Sequence, residues 1–325
     1  MNDRGLLDLT ISLLPGLSPA ERIPLLKAFD YEDDLFVQSK RDIEEILRRR
    51  LKQFWDIREI HERAGHIDAT CAMRSIKWVS WTDTDYPPLL REMYDPPAVI
   101  YYRGNLPNPE KSLLGMVGTR KPSTGALDQA YRIACDIGKA GISVVSGLAF
   151  GIDTMSHRGN LASGVPGYAV LGSGADQIYP AANKQLAGKI MDSGGALISE
   201  YPPGVRPGKW AFPARNRIIA ALSRSVLIVE APEKSGALIT AAFALEQGKD
   251  LWVAYLPALK DNKFDRTGAV KLADDGAEVI HSADDVLVRW GMEIAAGNEK
   301  IIAGESESCR RDLISSMADF LKIEV

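Results

Sequence analysis

Ser146-Gly-Leu-Ala-Phe-Gly-Ile-Asp153 sits where a strand turns into a helix. The residues before it, Ile142-Ser-Val-Val145, are short, apolar and β-branched, the pattern of a buried parallel strand. The residues from about 152 to 163 repeat apolar positions at helical spacing. Gly147 and Gly151 between them let the backbone turn tightly and approach a ligand with no Cβ in the way. The helix N-terminus that follows offers unpaired N–H groups and partial positive charge, the combination that binds phosphate.

The same arrangement recurs along the central chain. Strands are predicted at 113–117, 142–145, 168–171, 196–199, 226–229 and 251–254. Helices are predicted near 125–139, 152–163, 183–192, 216–222, 237–247 and 267–274. Alternating strands and helices with short connections predict an α/β fold, a doubly wound parallel sheet with helices on both faces. In such sheets ligands gather at the carboxyl ends of the strands. Those ends read Gly118-Thr-Arg120-Lys121-Pro-Ser-Thr124, Ser146-Gly147, Gly172-Ser173-Gly174 with Ile178-Tyr-Pro180 beyond, and Glu230 leading to Ser235-Gly236. Each glycine alone is explained by a tight turn; four at the strand ends of one sheet predict an anion-binding edge. No Gly-x-Gly-x-x-Gly opens a helix, no acidic residue ends the second strand to hold a ribose, and no Walker A motif occurs. This is therefore not a dinucleotide site of the usual kind, and the sequence argues against ATP hydrolysis by a P-loop.

Lys209-Trp-Ala-Phe212-Pro-Ala-Arg215-Asn216-Arg217 interleaves three cations with two aromatics. Cations meet phosphates while rings stack on unpaired bases, so the segment suits single-stranded nucleic acid. The competing reading buries Trp210 and Phe212 in the core and pairs Arg215 and Arg217 with carboxylates. Charge favours an anionic ligand at this level: residues 103–225 hold 14 Lys and Arg against 7 Asp and Glu, a local +7 in a chain of net charge −4. Catalysis finds little support. Ser146 lacks a nucleophile-elbow context, His157 is read as structural, and Asp153 is read as complementing the dipole of its helix.

Composition bounds the rest. At 325 residues the chain holds one large core and an accessory domain, and 46% hydrophobic with 25% charged residues is ordinary for a globular protein. No apolar run reaches 18 residues, so no membrane span is expected, and the N-terminus lacks a secretory pattern. Cys71, Cys135 and Cys309, with four scattered histidines, match no zinc or disulfide spacing, so a reduced cytoplasm is expected, with no metal and no cofactor. Residues 1–78 read as helices, including a continuous run over 38–64. The basic stretch Arg48-Arg-Arg-Leu-Lys52 in that run reads as a solvated helix face. Residues 79–108, rich in proline and aromatics, read as a linker or an extension of the sheet with one strand at 98–102. Residues 109–289 form the α/β domain, and 290–325 a short polar tail with a weak helix over 311–321.

Val117-Gly-Thr-Arg120, Val144 through Asp153, Val170-Leu-Gly-Ser-Gly174 with Ile178-Tyr-Pro180, Ile198 through Gly204, Phe212 through Ile219, and Glu230-Ala with Ser235 through Ala241 resemble, in order, the motifs of the DNA-processing protein A (Smf) family. The resemblance covers about residues 80–256. It implies a Rossmann-like domain behind a small helical domain of SAM or helix-hairpin-helix type. The implied function is non-enzymatic: a cytoplasmic homodimer that binds and protects single-stranded DNA and helps load the RecA recombinase during natural transformation. By motif position it implies a nucleic-acid site at Gly118, Arg120, Lys121, Ser146, Gly147, Gly172, Ser173, Lys209, Phe212, Arg215, Asn216, Arg217, Ser235 and Gly236. Among these Arg120 and Lys209 would meet phosphate, and Phe212 a base. The chain departs from the family over 255–268, where the usual Pro-Gly and glycine-rich stretch is absent, and the tail reads as too short for the winged helix many members carry. Two alternatives remain: a nucleoside-monophosphate phosphoribohydrolase, whose motif would need a glutamate where Phe243 stands, Glu246 being the nearest carboxylate, and a nucleotide-binding Rossmann protein with no DNA role.

Overall fold

A computed structural model describes residues 4, 6–52, 54–257 and 264–292, with Leu313 and residues 315–318. The polar stretches around them, including most of the tail and part of the divergent 255–268 segment, lie outside the described residues. The chain divides into two compact units: residues 1–103 with the short segments 173–177 and 199–206, and the remaining residues 104–172, 178–198 and 207 onward.

In the first unit five helices, α1 (Leu7–Ser12), α2 (Pro19–Ala28), α3 (Glu32–Phe36), α4 (Lys40–Leu47) and α5 (Ile57–Met73), precede strand β1 (Lys77–Ser80), the single turn α6 (Pro88–Arg91) and strand β2 (Val99–Gly104). Ser18 with Glu21 and Ser39 with Asp42 form capping boxes that start α2 and α4, and the Asp56 side chain caps α5. Leu7, Ile11, Leu14, Leu25, Leu26, Leu35 and Ile43 close the core between these helices. The predicted continuous helix over 38–64 is broken: Arg48 ends α4 in the left-handed region, at φ 52°, and α5 starts at Ile57. The basic run is consequently a turn, not a helix face, in which Arg49 pairs with Glu21 and donates to the Gly16 carbonyl at 2.9 Å. The region read as a linker also holds more structure than expected, because β1 pairs antiparallel with β2.

The second unit carries strands β3 (Leu113–Val117), β4 (Ser143–Ser146), β5 (Tyr168–Leu171), β6 (Ala196–Ser199), β7 (Ser225–Ile228), β8 (Asp250–Ala254) and β9 (Glu278–Ile280). Helices α7 (Thr124–Lys139), α8 (Ile152–Ala162), α9 (Lys184–Asp192), α10 (Ala211–Leu222), α11 (Gly236–Glu246), α12 (Thr267–Asp274) and α13 (Ala283–Arg289) alternate with them. The strands lie in the order β6-β5-β4-β3-β7-β8-β9. The pairs β3–β4, β4–β5, β3–β7, β7–β8 and β8–β9 are all parallel. The chain builds outward from β3 to β6, then returns to the other side of β3, so the topological switch point lies between β3 and β7. β3 to β7 are buried at every position, which explains their largely apolar sequence, with Ser143, Ser146, Ser199 and Ser225 as buried polar exceptions. The fold expected from the alternating pattern is thus present, with β9 and α13 as additions that sequence periodicity did not reveal.

α7 packs on α8 across one face and α10 on α11 across the other. Close approach of α7 and α8 depends on Gly159, where a Cβ would come within 2.2 Å of the Tyr131 carbonyl oxygen. Cys135 is buried in this layer, and Cys71 of the first unit is free and buried. Leu313 joins the same core. His157 of α8 is fully buried, with no hydrogen-bond partner for either ring nitrogen among the described residues. Burial, aided by the charge of Arg215, pushes its pKa from an ordinary 6.5 down to about 3.

The folded state therefore refuses a proton that the unfolded chain accepts below pH 6.5, so this group lowers stability as pH falls from about 6.5 towards about 3. Urea denaturation of the wild type and His157→Phe from pH 7 to pH 4 tests this. The variant should lose less stability on acidification, by up to about 1.4 kcal/mol per pH unit.

Candidate nucleic-acid interface

At the switch point, where α/β sheets hold their ligands, the anion is a side chain of the protein itself. Glu230, fully buried just beyond β7, accepts a hydrogen bond from the Ser123 amide at 2.7 Å and another from its hydroxyl at 3.0 Å. Ser123 is the N-cap of α7, so the Glu230 carboxylate occupies that helix N-terminus. Arg266 Nε lies 4.0 Å from the same carboxylate. In the β3 turn, read from sequence as a phosphate cradle, Glu230 takes up the N-cap residue, while Arg120, Lys121, Thr124 and Gly125 stay exposed.

The β4 turn is organised in the same way. The Asp153 carboxylate accepts from the Gly147 amide at 3.1 Å and the Ala149 amide at 3.3 Å. Burial pushes the Asp153 carboxyl upward, while Arg215 and these amides pull it back. Arg215 lies 3.9 Å from Asp153 and is itself buried. Its guanidinium donates to the Gly147 carbonyl at 2.6 Å and to the Val170 carbonyl, and its Nε donates to Asn216 Oδ1 at 2.9 Å. Gly147 is required by that guanidinium, because a Cβ there would fall 2.0 Å from an Arg215 nitrogen. Asn216 extends the network to the start of α11 by donating to the Gly236 carbonyl at 3.0 Å.

These facts correct several sequence assignments. α10 starts at Ala211, five residues earlier than predicted, so Arg215, Asn216 and Arg217 lie inside a helix packed on the sheet and are buried. Arg215 and Asn216 spend their side chains on the turns and helix around them. Ser146 is fully buried and donates to the Met116 carbonyl at 2.6 Å; Gly147 spends its amide on Asp153. Gly172 is buried, leaving room for Phe212, whose ring atom would stand 3.0 Å from a Cβ there. Ser173 falls in the first unit, where its hydroxyl donates to the Gln177 carbonyl at 2.6 Å. Gly118 is half-buried against Ile152 and Glu230. Ser235, the N-cap of α11, and the exposed Gly236 have no side-chain cap between them.

What remains at the surface of the second unit is a row of rings and cations. Arg120, exposed on the β3 turn, stands over the half-buried Phe212 ring, 5.4 Å from its centroid. Phe212 in turn lies 5.5 Å from the ring of Tyr179, which is 49% exposed. Lys121 is exposed beside Arg120; Lys209 and Trp210, the latter 66% exposed, lie at the α10 N-terminus. Trp210 belongs to the cationic-aromatic segment read from the sequence, whereas Tyr179 is not among the site residues that reading names. Among the described residues no cluster of three His, Cys, Asp or Glu could hold a metal, and no helix is long and apolar enough to cross a membrane.

The profile of the DNA recombination-mediator protein A family matches residues 77–291. The chain belongs to this family. It is 45% identical over 232 residues to Protein Smf of a Synechocystis species, a match that takes in 69% of this chain and 57% of that protein. A crystal structure of DNA processing protein A from Streptococcus pneumoniae is similar over 89% of this chain and 98% of that one, with a TM-score of 0.69 and 31% identity. The Helicobacter pylori member, whose structure is described in terms of its single-stranded DNA binding mode, is similar over 66% of this chain and 95% of that one, with a TM-score of 0.57 and 26% identity.

Within this family frame Arg215 is a structural residue and Lys209 a surface one, and their substitutions should separate. Arg215→Ala leaves Asp153 buried without its cation and should cost about 3–5 kcal/mol in urea denaturation. Lys209→Ala should stay within about 0.5 kcal/mol of wild type.

Proposed function

We propose that the protein binds single-stranded DNA along the carboxyl edge of the second unit's sheet, as a recombination mediator that covers the strand and passes it to the RecA recombinase. The observation that carries this reading is the Arg120–Phe212–Tyr179 row, in which a cation and two rings are held side by side at the surface. Rings that accept unpaired bases with cations that meet phosphates are the elements of sequence-tolerant single-strand binding. Duplex DNA hides its bases within the stack and cannot use the rings. The family match and the single-strand binding described for the Helicobacter pylori relative support the same reading. Delivery to the recombinase, homodimerisation and a cytoplasmic location rest on the family resemblance.

The protein acts by binding, not by catalysis. The hydrolase alternative needs a glutamate three residues after Thr240, and Phe243 stands there. Glu246, the nearest carboxylate, stands about one turn further along α11, as its last residue. A mononucleotide sensor leaves the Arg120–Phe212–Tyr179 row without a role.

Oligo-dT should bind at submicromolar to micromolar concentrations, with affinity falling steeply as salt rises. Lys209→Ala or Arg120→Ala should weaken binding and flatten the salt slope by about one unit. Phe212→Ala should cost about 1–3 kcal/mol with little change in slope. Fluorescence anisotropy across a salt series reads both quantities. A salt-independent affinity, or release of free base from AMP that Glu246→Ala abolishes, would contradict the reading.

A further inference from the structure

Beyond the switch point the same sheet edge carries a second pair of surface rings. Tyr255 follows the last residue of β8 and His281 the last residue of β9. Their rings stack with centroids 4.4 Å apart and planes 25° apart. Tyr255 is 47% exposed and His281 is exposed, and neither belongs to a hydrophobic core cluster.

The backbone under both rings is fixed. The Tyr255 amide donates to the Ile280 carbonyl at 2.7 Å, extending the β8–β9 ladder by one step. The His281 amide donates to Asp285 at 2.6 Å, and Gln129 donates to the His281 carbonyl at 2.7 Å. Arg266 donates to the carbonyls of Leu256 at 3.1 Å and Pro257 at 2.9 Å, holding the chain immediately after Tyr255. These contacts settle the main chain and leave the ring faces at the surface, so the pair is ordered before any ligand arrives, which lowers the ordering cost of binding.

β3, β7, β8 and β9 are successive parallel neighbours, so their carboxyl ends share one edge. Strands lie about 4.8 Å apart, which puts the ends of β8 and β9 roughly 10–15 Å along that edge from the end of β3. Between them the β7–α11 turn exposes Lys234 beside Glu233, so the path adds no net charge on the way. The second pair offers π-faces and not phosphate contacts.

We propose that Tyr255 and His281 form a second stacking platform for single-stranded DNA, taking a base a few nucleotides along the strand from those on Phe212 and Tyr179. This rests on the reading that the carboxyl edge binds single-stranded DNA. It assigns a role to the first residue of the segment that departs from the family pattern.

Binding of oligo-dT of about 6 and about 20 nucleotides to wild type, Tyr255→Ala, Tyr255→Phe and Phe212→Ala, followed by fluorescence anisotropy at two salt concentrations, tests this. Tyr255→Ala should lose at least about fivefold in affinity for the longer oligomer, the low end for one stacked base. It should keep the wild-type salt slope. Tyr255→Phe should retain both affinities, and Phe212→Ala should weaken both. Equal binding of the longer oligomer by Tyr255→Ala and wild type would overturn the second platform alone. Failure of the wild type to bind either oligomer would overturn the reading of the whole edge.

Discussion

One buried cation sets the geometry of the surface above it. Arg215 joins the turn after β4 to the strand β5 through the Gly147 and Val170 carbonyls, beside the Asp153 carboxylate. A buried guanidinium is tolerable only when its donors are spent and a carboxylate is near. Because Arg215 sits inside α10, satisfying it fixes that helix against the sheet. Phe212, about one turn earlier, is thereby held at the helix N-terminus, where its ring meets Arg120 and Tyr179. The exposed row depends on the buried network, and the absence of a side chain at Gly147 is the condition that lets the network form.

The internal carboxylates give the edge its chemistry. A helix N-terminus attracts any anion, and in nucleotide-binding sheets that anion is a phosphate. Here Glu230 holds the N-terminus of α7, and Asp153 the amides of the loop before α8. With those positions filled, the surface is left with side-chain cations and rings. These recognise a polymer of repeating phosphates and bases through several spaced contacts, whereas a small nucleotide would need one deep pocket.

The strands of the second unit were legible because a parallel strand buried on both faces is mostly apolar, and Leu113–Val117 and the β-branched pair within Ser143–Ser146 are read by that rule. The glycine turns were legible for the same local reason. Their occupants were not: Glu230 and Ser123 lie 107 residues apart and meet only through the fold. The start of α10 was hidden by Pro213, which reads as a breaker but is tolerated in the first turn, where its missing N–H would have had no partner. That misplacement made Arg215 and Arg217 look like surface cations. β9 escaped notice because it is a three-residue edge strand with two exposed positions. In the first unit Arg48, in the left-handed region, split a pattern whose helical spacing runs on through it.

The central claim is that the second unit's carboxyl edge receives unpaired bases on rings ordered by Arg215. Photocrosslinking of an oligonucleotide carrying 5-iodouracil to the full chain, with the crosslinked residues mapped by mass spectrometry, tests it most directly. Crosslinks at Phe212 and Tyr179 are the expected result. Crosslinks confined to residues 6–103, with none on these rings, would contradict it.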